Sequence, residues 1–206
     1  MVQGEVMERK KSERKKKGSF PAWILFLCGF LLGMLLPNLA WKLKWKQKAL
    51  ASVYLLSSFG TGNVSGTEYL LEIIRLRGGY FLLCILCGFT VFGVPIAVLG
   101  MVILGGELGA LFAMSLLQFG LAGGAISTGL LFPQYLIYIP VTFMAMDSIY
   151  TESMRMWKNH GILPQNVNRF CIRALAYTAL FFAGSLLESY VNPWVVEKIL
   201  SILKIF

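Results

Sequence analysis

From Tyr80 to Gly106 the chain runs without one charged side chain, and a stretch of that kind has few places to go. About 20 apolar residues in a helix cross a hydrocarbon core about 30 Å thick. A second run, Phe20 to Ala40, is equally free of charge. Composition agrees with a bilayer as the solvent: 57% of the 206 residues are hydrophobic and 14% are charged, against about a quarter charged in an average soluble domain. That is more apolar surface than one core can bury. The sequence therefore reads as a single integral membrane domain over 19–206, preceded by a basic cytoplasmic tail over 1–18.

The expected fold class is all-α, a polytopic membrane bundle of about five transmembrane helices with proline-bent or broken segments. The spans fall at about 20–40, 80–104, 106–120, 121–146 and 170–191. The first follows Arg9, Lys10, Lys11, Arg14, Lys15, Lys16 and Lys17. A secretory signal also begins basic then apolar, but its apolar region is about 7–15 residues and ends in a small-residue cleavage site. Pro37-Asn38-Leu39-Ala40-Trp41 offers no clear triplet of that kind, so an uncleaved first helix is expected. Gly29 and Gly33 on one of its faces form a small-xxx-small pair that lets another helix approach.

Trp41, Lys42, Lys44, Trp45, Lys46 and Lys48 then suit a headgroup layer. Gly60 to Gly66 reads as a flexible joint, because it lacks the strand, helix and lysine of a phosphate loop. Thr67 to Arg77 sets Leu70, Leu71, Ile73, Ile74 and Leu76 against Glu68, Glu72, Arg75 and Arg77, the pattern of a short amphipathic helix lying along the membrane. Gly93-Val94-Pro95 should bend the second span. Glu107 interrupts, and the apolar stretch after it either spans or re-enters. Pro133 and Pro140 free backbone carbonyls in the fourth span that neighbours, Gln134 or water must satisfy. Pro193 to Phe206 suits a terminal interfacial helix. The basic tail orients the N-terminus towards the cytoplasm, although the loop from Trp41 to Gly79 carries basic residues on the outer side.

The chemistry-bearing residues point away from catalysis. Cys28, Cys84, Cys87 and Cys171 lie within spans, where a thiol is a small apolar filler. His160 stands in a polar loop without a partner motif. Nucleophile, zinc and P-loop motifs are absent from the sequence, so an enzyme, a cofactor or a metal is not expected, and nucleic acid is not an expected partner. The informative residues are the ionisable and amide groups at bilayer depth: Glu107, Gln118, Gln134, Arg173 and Glu188. Such groups face a bundle interior, a wet cavity or a partner, unless they sit at helix ends and reach headgroup water. Glu188 is expected to turn inward and accept hydrogen bonds from Gln134, Tyr135 or amides near Pro133 and Pro140. Tyr190 and the helix-stopping Pro193 follow it.

Four ordered elements resemble the stage II sporulation protein M family: Gly93-Val94-Pro95, then Gly105 and Gly109, then Phe132-Pro133-Gln134-Tyr135-Leu136-Ile137-Tyr138-Ile139-Pro140, and last Leu187-Glu188-Ser189-Tyr190-Val191-Asn192-Pro193. The resemblance covers about residues 20–196. It departs at Tyr135, where asparagine is common, and at Glu107, where the family is apolar. It implies a non-enzymatic multi-pass scaffold for forespore engulfment in the mother-cell septal membrane, acting with stage II sporulation proteins D and P, the peptidoglycan-degrading enzymes. Its structural or interaction residues would include Glu107, Pro133, Gln134, Pro140, Glu188, Tyr190 and Pro193, with membrane lipids as further partners and self-association into a homo-oligomer left open. The alternative from another class is a small transporter or channel with a polar site between broken helices.

Overall fold

The computed structural model describes residues 20–42, 66–159, 167–192, 194, 195 and 198. The basic tail, the Trp/Lys segment beyond Lys42, His160, Pro193 and most of the C-terminal segment lie outside them. Every element among the described residues is helical: α1 (Ala22–Lys42), α2 (Gly66–Ile73), a π-helical turn (Ile74–Gly78), α3 (Gly79–Cys87), α4 (Gly93–Phe119), α5 (Leu121–Leu131), α6 (Tyr135–Lys158) and α7 (Val167–Tyr190). Three of these, over Ala22–Leu39, Gly93–Leu117 and Val167–Tyr190, are long and apolar enough to cross a membrane. The chain is membrane-associated, and all-helical over its described residues.

In lipid, apolar side chains gain little by leaving their solvent, so helices associate through close packing and polar ties. The seam between α1 and α4 shows the packing. A β-carbon at Gly29 would collide with the Val102 carbonyl and one at Gly33 with the Gly106 carbonyl. From the other side, Gly105 lies on the Phe26 carbonyl and Gly109 on that of Phe30. The Gly29–Gly33 pair therefore does what its spacing predicts, against a matching set on α4. The contacts advance together along both helices, so α1 and α4 run parallel.

Parallel helices require the chain between them to return. The return is the helix of residues 66–87, continuous because the Gly79 N–H bonds back to the Ile74 carbonyl across the π turn and every junction residue stays right-handed helical. At about 1.5 Å per residue it reaches about 33 Å. It reverses at 88–92, where the Gly88, Phe89 and Thr90 amides close tight turns, and Gly93-Val94-Pro95 forms the first turn of α4. Proline is tolerated there because that amide has no helical acceptor. The expected bend in a span over 80–104 is thus corrected to a full reversal. Glu107 does not interrupt a helix either: it lies near the middle of α4, and the apolar stretch after it is that helix's second half.

Past Gly120, at φ 60°, α5 turns back along α4, with Gly123 pressed on the Ser115 backbone and Leu131 reaching the cluster around Leu108. The chain breaks at Phe132-Pro133-Gln134, where the Phe132–Pro133 peptide is cis, and α6 continues in the same direction. It runs to Lys158, well past the expected end at 146. Tyr135 and Tyr138 pack by Leu108, while Ile149 and Ser153 meet Gly93, so α6 is antiparallel to α4. α7 turns again: Phe170 touches Gly88 beside Ile149, and Gly184 faces Tyr138. The directions alternate throughout. A core of Phe81, Cys84, Ala97, Met101, Ala145, Met146 and Ile149 fills the centre, with Phe81 and Phe181 stacked at 4.3 Å.

Candidate functional site

One buried polar cluster of this apolar bundle lies where the π turn, α6 and α7 meet. A π turn inside an α-helix is rare and frequently marks a functional position; this one carries Arg77. The Arg77 guanidinium donates through Nη1 to both oxygens of Glu188, at 2.8 and 3.1 Å. Glu188 is 5% exposed. Its Oε2 also accepts from the Tyr138 hydroxyl at 2.9 Å, and Ser185 Oγ lies 3.1 Å from the same phenol. Beneath the guanidinium, the Tyr135 ring centroid is 5.7 Å from Arg77 Cζ, within cation–π range. A charge buried in apolar surroundings is tolerated when paired and hydrogen-bonded, and here one carboxylate binds a turn on one helix to a phenol on another.

A second tie lies close by in the chain. Amide orientations are assigned from their partners. In the orientation that matches donors to acceptors, the Asn192 amide donates to the carbonyls of Gly129, at 3.1 Å, and Phe132, at 3.2 Å, and accepts from Gln134 Nε2 at 3.1 Å. Asn192 and Gln134 are both buried. The break between α5 and α6 is therefore closed by a side chain from just beyond α7.

Beside the Arg77–Glu188 pair is a cavity of about 480 Å³, within the range of small-molecule sites. Arg77, Tyr80, Glu107, Tyr135, Tyr138 and Thr142 supply its polar lining, and apolar side chains complete it. Glu107 projects to it from α4 and makes no hydrogen bond or ion pair with a described residue.

No family model, curated protein or solved structure matches this chain. The site has to be understood from its own chemistry, which brings together some of the expected residues and leaves others apart. Glu188 does turn inward, but its partners are Arg77 and Tyr138; Gln134 pairs with Asn192, and Tyr135 serves Arg77 as a ring. Pro133 forms the break itself. Pro140 is an exposed residue inside α6, Tyr190 is 54% exposed and outside the network, and Arg173 is exposed. Pro193 lies outside the described residues.

Arg77, Tyr138, Ser185 and Asn192 are the members that local patterning missed. Arg77, which local patterning gave only as the polar face of a short amphipathic helix, is half-buried against Glu188. At the other end of the bundle, Glu152 is buried and pairs with Arg155 at 2.9 Å. Ser148 Oγ, Ser153 Oγ and Glu152 Oε2 are buried there without a partner among the described residues.

Proposed function

We propose that the chain is a five-pass, non-enzymatic membrane scaffold of the stage II sporulation protein M type. In this reading it holds peptidoglycan-degrading enzymes, stage II sporulation proteins D and P, at the mother-cell septal membrane during engulfment. The five passes are α1, the helix of residues 66–87, α4, α5 with α6, and α7, crossing alternately from a cytoplasmic N-terminus. The observation that carries the reading is that the resembling elements coincide with the joints of the bundle. Gly93-Val94-Pro95 opens α4, Gly105 and Gly109 seat α1, Gln134 is clasped by Asn192, and Glu188 fastens Arg77 and Tyr138. Polar groups used to fix helices to one another make a frame, and a frame with apolar outer faces suits a protein that positions others. On α1, for example, Ile24, Leu27, Leu31, Leu35 and Leu39 point outward.

The test is affinity capture of the tagged chain from sporulating cells of an endospore former. Co-purification of stage II sporulation proteins D and P, lost from cells lacking the tagged chain, is the expected result. Capture of the chain without either enzyme would overturn the reading.

The cavity favours a second reading, a small transporter with its site between broken helices. Protein reconstituted in sealed vesicles would then move a solute across the bilayer at a rate that depends on Glu107, which a scaffold would not.

A further inference from the structure

The cavity between the helix of residues 66–87, α4 and α6 carries a charge pattern that neither the frame nor its ties account for. Arg77 and Glu188 neutralise each other across 2.8 Å. Glu107 remains, a carboxylate near the middle of an apolar helix that lines the same cavity without an ion pair to a described residue. Glu107 is exposed towards the cavity and feels Arg77 as well as Glu188, so one cation faces two carboxylates and a negative charge is left over, which at such a position calls for a further cationic counterpart. Tyr80, Tyr135 and Tyr138 line the same cavity; the Tyr135 ring already faces Arg77 and Tyr138 packs on Phe181, so Tyr80 is the ring left to attract a cation. Along the rim, Leu76, Tyr80 and Ile103 are 65%, 40% and 42% exposed, so the opening is apolar and leads sideways from the bundle. A ligand reaching this cavity passes through a greasy mouth and meets a carboxylate with aromatic walls.

We propose that the cavity binds an alkylammonium group: a cationic amine on an apolar body, its nitrogen against the Glu107 carboxylate and its chain leaving between Tyr80 and Ile103. Two sources carry this chemistry, a free long-chain amine and the ethanolamine headgroup of a phospholipid. The assignment holds for a scaffold, where the occupant would be a structural lipid, and for a transporter, where it would be cargo.

Equilibrium binding of dodecylamine, dodecanol and dodecanoate to the full chain in a neutral maltoside detergent tests the charge. Native mass spectrometry of the chain from phosphatidylethanolamine and from phosphatidylglycerol nanodiscs separates the sources. Dodecylamine should bind one per chain at least about tenfold tighter than dodecanol, with dodecanoate weakest. Glu107→Gln should remove that preference. Ile103→Trp, which narrows the mouth without touching a charge, should weaken dodecylamine while the thermal midpoint stays near the parent's; it also carries the test should Glu107→Gln fail to fold. A retained phosphatidylethanolamine that Glu107→Gln loses assigns the headgroup, and dodecylamine binding without such retention assigns the free amine. Equal affinity for dodecylamine and dodecanol, or dodecylamine affinity unchanged in folded Glu107→Gln and in Ile103→Trp, would overturn the proposal.

Discussion

Removing the Glu188 carboxylate should damage this protein out of proportion to the size of the change, and removing its partner as well should repair much of the damage. Glu188 is 6% exposed at its side chain and Arg77 is 37% exposed, so the pair is buried on one side only. Breaking a buried ion pair by deleting one member costs about 3–5 kcal/mol. The partial exposure of Arg77 lets it recover some solvation, which puts Glu188→Leu near the lower end, about 3 kcal/mol. Glu188→Gln keeps the shape and one acceptor but turns charge-assisted hydrogen bonds into ordinary ones, a loss of about 1–2 kcal/mol. Arg77→Leu leaves Glu188 with Tyr138 alone and should cost about as much as Glu188→Leu. The double variant replaces the pair by apolar groups, a change that is often neutral. It should lie within about 1 kcal/mol of the parent, giving a coupling of several kcal/mol where independent sites show about 0.3–0.5. Detergent thermostability and membrane abundance of the four proteins measure this. If the double variant falls by the sum of the two single losses, the residues are not coupled and the proposed tie is wrong.

Three further outcomes follow from the same framework. Gly105→Val should destabilise the bundle by about 1–3 kcal/mol, because its side chain has to enter the Phe26 carbonyl; the same change at Gly79, where a β-carbon meets nothing within 4 Å, should be far milder, and the two are compared by thermal midpoint. Asn192→Leu removes three hydrogen bonds at the α5–α6 break and should lower stability by about 1–3 kcal/mol, read as faster proteolysis near residue 132. The purified chain should release no muropeptides from peptidoglycan, and release that survives removal of contaminating hydrolases would contradict the scaffold reading.

The uncharged runs were sufficient to read an all-helical membrane chain, and the Gly29–Gly33 spacing located one seam. Boundaries were harder, for a physical reason. A soluble chain marks its reversals with polar residues because they face water; the turn at 88–92 has only Thr90 as a polar side chain, so hydropathy runs straight through it. Glu107 misled in the opposite sense, because a charge that faces a cavity leaves its helix unbroken. The fate of Glu188 was half legible. Burial of a carboxylate implies a partner, but nothing in local periodicity connects it to Arg77, 111 residues away. A hint existed: the two are opposite charges, each at the edge of an apolar run, just where helices of opposite direction come level. Asn192 and Gln134 were adjacent to the expected prolines, yet their pairing depends on how α5 returns along α4, which only the tertiary structure supplies.

The proposal that the chain crosses a membrane five times in alternating directions is tested most directly by labelling single introduced cysteines in intact cells with a membrane-impermeant thiol reagent, in a background lacking Cys28, Cys84, Cys87 and Cys171. Ser65→Cys and Gly120→Cys should react from outside, while Ser12→Cys and Asn159→Cys should react only after the membrane is permeabilised. Labelling of Ser12→Cys in intact cells would reverse the orientation, and labelling of Gly120→Cys and Asn159→Cys from the same side would contradict the alternating bundle itself.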